Sequence, residues 1–305
     1  MVFNLLNSKK MIKVSVIITT CNREECIFKT ALDSVLNQTY KNIEVIVVND
    51  STDEIIKENI EQLIKLKSNN IKYYSNKMQR GANYSRNLGA DLSSGEILSF
   101  LDDDDYWEKD RVEKIVNYYK NGAEIIYSDY FILSENSKRY SKRSFPNETE
   151  QFEQILANNY LGGFSNVSFS RELFYKVGKL DESMKAYQDQ EIFVRLLKVG
   201  IKLCYIPEPL MHYRISKKSI SLNGEKKLQG LMQFMDKYQE LYEQYPKSKI
   251  IRLENELVYS AKLGWKKNVE YIASLLEGID SKSRIYRLIL KGKVKYFLIK
   301  YFNMQ

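Results

Sequence analysis

The sequence predicts an α/β fold: a mixed, mainly parallel sheet flanked by helices, followed by a helical C-terminal extension. Three observations predict it. Short, nearly continuous β-branched apolar runs recur along the first third of the chain, segments with helical spacing of apolar residues separate them, and beyond about residue 222 only helical periodicity remains.

The elements follow in order. Val14 to Thr19 (VSVIIT) reads as a strand covered on both faces, and Ile43 to Val48 (IEVIVV) repeats that signature. Between them Ile27, Ala31, Val35 and Leu36 fall at helical spacing, and Glu54 to Leu66 reads as a second helix. Ile71 to Tyr74 is a third strand, Ala82 to Leu92 a third helix, and Ile97 to Leu101 a fourth strand that runs into Asp102-Asp103-Asp104-Asp105. In parallel sheets built this way, ligands sit beyond the carboxyl ends of the strands. That puts Thr19–Arg23, Asn49–Asp53 and Asp102–Asp105 on one edge. Past 106 the pattern changes: a helix at 107–119, a strand at Ile125–Tyr127, and a polar loop or hairpin at 134–150. Phe164–Phe169 is a further strand, Gln190–Val199 a helix, and Lys202–Ile206 a strand closed by Pro207 and Pro209.

A chain of 305 residues can bury roughly three quarters of its unfolded surface, enough for a sizeable core. With 44% hydrophobic residues, 4 Pro and 13 Gly, composition gives no support for disorder, collagen or low complexity. Cys21, Cys26 and Cys204 show neither metal-ligand spacing nor an even disulfide framework, so free thiols in a reducing compartment are expected. No apolar run of signal-peptide length opens the chain, and none of roughly 18 residues occurs anywhere. A cytoplasmic protein is expected. The net charge of +8 is concentrated in the tail, where no acidic residue follows Asp280 but seven Lys or Arg do, from Lys282 to Lys300.

Four consecutive Asp at a strand end repel one another and raise each other's pKa. A hard divalent cation, Mg²⁺ or Mn²⁺, would neutralise them and hold substrate phosphates as well. A solvated acidic turn is the bland alternative. The buried strand before the run and the aromatic pair Tyr106-Trp107 after it favour the first reading.

Four blocks carry a resemblance to the family 2 glycosyltransferases, which have the nucleotide-sugar-binding GT-A fold. VSVIITTCNRE resembles the family's first strand and its Thr/Asn/Arg turn, and ALDSVLNQTYKNIEVIVVNDSTDE the next helix and second strand. GANYSRNLGADLSSGEILSFLDDDDYW resembles the block ending in D-x-D-D-x-W, and YQDQEIFVRLLKVG the E-D-x-x-L-x-x-R-L helix. The matches run from about Lys13 to Ser221. They suggest a catalytic domain at 1–221, with a nucleotide-binding half at about 11–105 and an acceptor-binding half at about 106–221, ahead of a helical region at 222–305.

The resemblance implies roles. Asp50 would hydrogen-bond the nucleoside, flanked by Thr19 and Arg23. Arg86 would approach the donor's diphosphate or sugar. Asp102 and Asp103 would lie along the donor, and Asp102, Asp104 and Asp105 would hold Mn²⁺ or Mg²⁺. Asp189 would be the catalytic base. A metal stabilises the charge gained by a departing diphosphate, and a carboxylate must take the proton of a weakly nucleophilic hydroxyl. Together they give single displacement with inversion. The implied donor is a nucleotide diphosphate sugar, a UDP-sugar by family frequency. The implied acceptor is a saccharide or a lipid-linked one, in bacterial surface polysaccharide synthesis.

Departures from the family pattern matter. Asn49-Asp50-Ser51 lacks the first Asp and the Gly of Asp-Asp-Gly-Ser, Gln188 replaces the Glu before Asp189, and Ser216 stands where some members have a metal-binding His. His212, the only histidine, is left outside the metal set.

Two other classes compete: a metal-dependent nucleotidyltransferase, and a non-catalytic sugar-nucleotide-binding scaffold. The first lacks a Gly-rich phosphate loop followed by Lys, and intact Asp104 and Asp189 argue against the second. Nucleic acid is not expected as a partner, because the acidic crevice would repel its phosphates. In the tail Val294, Phe297, Leu298, Tyr301 and Phe302 share a helix face flanked by lysines. Such a helix can lie on the anionic inner face of a cell membrane or pack on protein. Packing is the simpler expectation, and an oligomer is compatible with it.

Overall fold

The computed structural model describes residues 11–68, 70–134, 137–215 and 222–302, with side chains described as far as Val294. The described residues form two compact units. The first comprises those within Met1–Arg143, Leu161–Glu182 and Gly200–Ile215; the second comprises those within Ser144–Tyr160, Ser183–Val199 and Ser216–Gln305.

The first unit holds the sheet. Its strands are β1 (Val14–Thr20), β2 (Ile43–Asn49), β3 (Lys72–Ser75), β4 (Ile97–Asp102), β5 (Tyr106–Trp107), β6 (Ile125–Ser134), β7 (Ser137–Ser141), β8 (Val167–Ser170) and β9 (Leu203–Arg214). They lie in the order β3-β2-β1-β4-β8-β6-β9-β5, with β7 paired to β6. The β1–β2, β1–β4, β2–β3 and β6–β9 pairings are parallel, while β5, β7 and β8 pair antiparallel with their neighbours. The expected mixed, mainly parallel sheet is what forms.

The β-branched runs fold as strands because both faces are covered. One face packs α1 (Glu25–Leu36), α2 (Glu54–Lys67) and α4 (Arg111–Lys120) through Phe28, Leu32, Ile60, Leu63, Val112 and Ile115. On β1's other face α3 (Ala82–Asp91) approaches so closely that a Cβ on Gly89 would meet Ile17 at 2.4 Å. Phe100 there packs on Phe164, Phe169 and Phe174, the last two flanking the start of α6 (Arg171–Lys176).

Three expectations are corrected. No helix starts at 107: Tyr106 and Trp107 pair with His212 and Met211 as β5, and α4 starts at Arg111. The run from Phe164 begins as a 3-10 turn, Phe164–Asn166, before β8. The strand from Lys202 does not close at its prolines. Instead β9 continues to Arg214, and its register against β6 shifts on either side of Asp129. A bulge leaves backbone groups outside the ladder, so residues without an N–H are tolerated there.

The second unit is helical: α5 (Gln151–Ala157), α7 (Gln188–Lys198), α8 (Gly224–Lys237), α9 (Gln239–Gln244), α10 (Pro246–Leu263), α11 (Lys266–Glu277) and α12 (Lys282–Phe302). Its core gathers Leu231, Leu253, Leu257, Ile272, Leu276 and Ile285. Of the tail's predicted stripe, Val294 is exposed, and the side chains of Phe297, Leu298, Tyr301 and Phe302 lie outside the described residues. No helix among the described residues is long and apolar enough to cross a membrane.

Candidate active site

In-register parallel pairing brings the carboxyl ends of β1, β2 and β4 to one edge: Thr20 lies opposite Asn49, and Thr19 opposite both Val48 and Asp102. Thr19 is half-buried there. Asp50 follows β2 and is buried; its own N–H donates to the Thr20 carbonyl at 2.8 Å. Its carboxylate accepts the backbone N–H groups of Arg80 and Gly81, each at 2.8 Å, and the Asn76 amide at 2.6 Å. Gly81, at φ +95°, is the N-cap of α3, so Asp50 places negative charge at a helix N-terminus, where the backbone dipole favours it.

One turn into α3, Arg86 donates to Asp102 at 2.5 Å, and its guanidinium lies 4.3 Å over the Phe164 ring. Arg23, on the turn after β1, donates from Nε to Asp103 at 2.8 Å and from Nη2 to Asp104 at 3.0 Å. Asp105 is buried and accepts the Arg214 N–H at 2.9 Å. Ser165 accepts the Asp102 N–H at 3.0 Å through its hydroxyl and the Trp107 indole N–H at 2.8 Å through its carbonyl. The edge therefore gathers Thr19, Arg23, Asp50, Arg86 and Asp102 to Asp105.

The electrostatics are those of a crowded acidic cluster. Burial raises the Asp103 carboxyl, with Arg23 opposing. Burial pushes Asp104 up to about 6; Arg23 opposes this and the charges of Asp102 and Asp103 add to it. Burial, then Asp104 and Asp102, carry Asp105 well above the usual carboxylate range. Among the described residues no three His, Cys, Asp or Glu side chains are already gathered as a ligand cage. The donor set still fits a hard divalent ion of the kind that takes one or two carboxylates and completes its shell with phosphate. Asp102 and Asp104 carry the more accessible carboxylates, with side chains 36% and 18% exposed.

His212 is buried, with Nε2 2.7 Å from Glu108 and its ring stacked 4.2 Å from Tyr106. Burial lowers its pKa.

Asp189 belongs to the second unit, in the first turn of α7. Its Oδ1 accepts the Gln190 N–H at 2.8 Å and its Oδ2 the Asn159 amide at 3.0 Å. Tyr187, just before α7, adopts a left-handed conformation at φ +59°. A non-glycine residue held there stores strain, which gathers at functional sites.

Sequence reasoning missed Asn76, Ser165, Arg214 and Asn159. Each is a single polar residue that reaches its carboxylate or strand from far along the chain, Arg214 from the end of β9 and through its backbone N–H, with no local pattern to mark it.

The family model described as Glycosyl transferase family 2 matches residues 15–178. The chain is 31% identical over 234 residues to the glycosyltransferase GlyA of Streptococcus pneumoniae, covering 68% of this chain and 31% of that protein. It thus spans under a third of that relative. It is 28% identical over 295 residues to the GalNAc(5)-diNAcBac-PP-undecaprenol beta-1,3-glucosyltransferase of Campylobacter jejuni, covering 95% of this chain and 90% of that one. Among solved structures, S. aureus TarS 1-349 in complex with UDP-GlcNAc superposes with TM-score 0.58 at 16% identity, covering 93% of this chain and 88% of that one. The mannosyltransferase PcManGT from Pyrobaculum calidifontis, in complex with GDP-Man and Mn2+, gives 0.59 at 13% identity, covering 96% and 89%. At these identities the likeness speaks for the fold.

Proposed function

This chain belongs to glycosyl transferase family 2, and from that membership we propose that it is a metal-dependent, inverting enzyme. It moves a sugar from a nucleoside diphosphate donor, a UDP-sugar, to a hydroxyl of a saccharide or lipid-linked acceptor in surface polysaccharide assembly. The observation that carries this reading is the edge at which Asp50, Arg86 and the acidic run meet beyond the parallel strands. The undecaprenol-linked acceptor named for the Campylobacter jejuni relative, which matches almost the whole chain, supports the acceptor class.

The proposed roles follow from what each group can do. Thr19 and Arg23 flank the nucleoside, Arg23 on its diphosphate side. Asp50 orders the turn at 76–81 and has a lone pair on Oδ2, beside the Gly81 N–H, to offer the base. Asp102 lies beside the ribose, backed by Asp103. Arg86 meets the diphosphate. Asp102 and Asp104 would hold Mn²⁺ or Mg²⁺, with buried Asp105 behind them, and the ion would stabilise negative charge on the leaving diphosphate. Asp189, oriented by Asn159, takes the acceptor hydroxyl's proton as that oxygen attacks the anomeric carbon. One base on one face and one leaving group on the other give inversion. We assign this chemistry to a catalytic domain at 1–221, with a helical region at 222–305.

The tail adds a site of action. On α12, Tyr286, Leu290 and Val294 are exposed at four-residue spacing, among exposed Arg287, Lys291 and Lys293. A basic helix with an open apolar row suits peripheral contact with an anionic membrane, where a lipid-linked acceptor would be found.

Asp189→Asn tests the base. The transfer rate should fall by about 10²–10⁴-fold, the worth of general base catalysis, while nucleotide affinity stays within about twofold. Near-normal transfer, or affinity lost in parallel with rate, refutes the role.

A further inference from the structure

The two accessible carboxylates proposed for the metal differ in what already holds them. Asp102 is bound to Arg86 through Oδ1, and its side chain is 36% exposed. Asp104 is less open, and its Oδ2 is taken by Arg23 at 3.0 Å. The same guanidinium lies 2.8 Å from Asp103, which is buried. Arg23 is thus one cation shared between a buried carboxylate and a proposed metal ligand.

Its backbone is pinned. Asn22, at φ +48°, donates its N–H to Ser51 Oγ at 2.8 Å and its side-chain amide to Thr52 Oγ1 at 3.0 Å. The Asn22 side-chain oxygen accepts the Thr52 and Asp53 N–H groups at 3.0 and 3.2 Å, and the Cys21 N–H donates to Asp103 at 3.3 Å. With the turn fixed, exchange of partners must come from the side chain. A divalent ion on Asp104 would share that carboxylate with the guanidinium on its Oδ2, and two cations a few ångströms apart repel.

We infer that Arg23 is an exchangeable counter-cation of the metal site: it occupies Asp104 until the metal enters, then keeps Asp103 through Nε and turns its Nη2 to the donor's diphosphate. This rests on the proposed metal site at Asp102 and Asp104. Guanidinium forks match phosphate oxygens well, so the diphosphate supplies the anion that Arg23 loses. Metal and nucleotide then bind cooperatively, because each favours the Arg23 arrangement the other needs.

The test is Mn²⁺ binding, read from the electron paramagnetic resonance signal of free Mn²⁺, without turnover. The proteins are wild type, Arg23→Gln, Arg23→Lys, Asp104→Asn and Arg139→Gln, the last removing one positive charge from exposed β7. With Mn²⁺ alone, Arg23→Gln should bind about tenfold more tightly than wild type, the scale of one charge-assisted hydrogen bond that is partly open to solvent. Arg23→Lys, a point charge that cannot bridge both carboxylates, should gain several-fold, and Arg139→Gln should match wild type. Added UDP should raise the affinity of wild type for Mn²⁺ by a larger factor than that of Arg23→Gln. If Asp104→Asn loses Mn²⁺ but neither Arg23 variant gains, the exchange is wrong and the metal site stands. If Asp104→Asn binds Mn²⁺ as wild type does, or no protein binds it even with UDP, the metal site itself fails and the exchange falls with it.

Discussion

Glu44 offers a measurable link between the sheet and the site. It lies on β2, buried, and its carboxylate accepts from Ser15 Oγ at 2.6 Å, the Gly95 N–H at 2.9 Å and the Ser94 N–H, with Lys13 and Lys72 at 3.1 and 3.2 Å. Ser94 and Gly95 lie in the turn that leads into β4, the strand that ends in Asp102. A Cβ on Gly95 would meet Ser15 Oγ at 2.5 Å and Ser15 N at 2.6 Å, so the turn fits only as drawn in around Glu44. Against the cost of burial, bonds from Ser15 and Ser94 and then from the lysines hold this carboxyl at about 2, where the unfolded chain has 4.5. That difference corresponds to about 3 kcal/mol. Lys13 and Lys72 are 37% and 52% exposed, so solvent screening reduces the contribution to about 1–2 kcal/mol. The folded pKa is depressed, so the stabilisation is complete above about pH 4.5 and is lost as pH falls toward 2. Glu44→Gln should therefore unfold in urea with about 1–2 kcal/mol less stability at pH 7, and the gap from wild type should close between about pH 4.5 and 2. A gap below 0.5 kcal/mol at pH 7, or one unchanged down to pH 3, would refute the charge-based account (about 0.5 being the usual scatter of surface changes).

Two further outcomes follow from the proposed roles. NMR of the isolated glycoside should show the anomeric configuration opposite to the donor's; retention defeats single displacement. The intact chain should bind anionic vesicles in a manner weakened by salt, and replacing Tyr286, Leu290 and Val294 together by Ser should reduce that binding about tenfold or more, since exposed apolar groups insert at roughly 25 cal/mol per Å². Binding that ignores those three residues assigns α12 to protein packing instead.

How much of this was legible in the sequence depends on the range of the forces involved. β1, β2 and β4 were readable because a strand covered on both faces needs unbroken apolar runs such as VSVII and ILSFL, and α1 to α3 because one buried face imposes a 3.6-residue period. The acidic run stood out as a candidate site because four adjacent carboxylates demand an explanation from anywhere in the fold. β9 was not, because proline closes a strand only when its missing N–H falls on the ladder, and the shift at Asp129 depends on β6, some eighty residues earlier. Tyr106-Trp107 resembles a helix start until Met211 and His212 arrive to pair with it. The short helices α5 and α6 carry too few turns to show a period. The supports of the carboxylates, Asn76 under Asp50, Ser165 under Asp102 and Asn159 beside Asp189, are single hydrogen bonds made by folding. Nor could adjacency in sequence say that Asp105 would be buried while Asp102 stays open, since alternate residues leaving a strand face different surroundings.

The most direct test of metal-dependent sugar transfer is nucleoside diphosphate release from a panel of nucleotide sugars, measured with and without excess chelator. One donor in the panel should be turned over in Mn²⁺ or Mg²⁺, release should stop on chelation and return when the metal is restored, and Asp104→Ala should abolish it. Release undiminished in excess chelator, or retained by Asp104→Ala, would contradict the account.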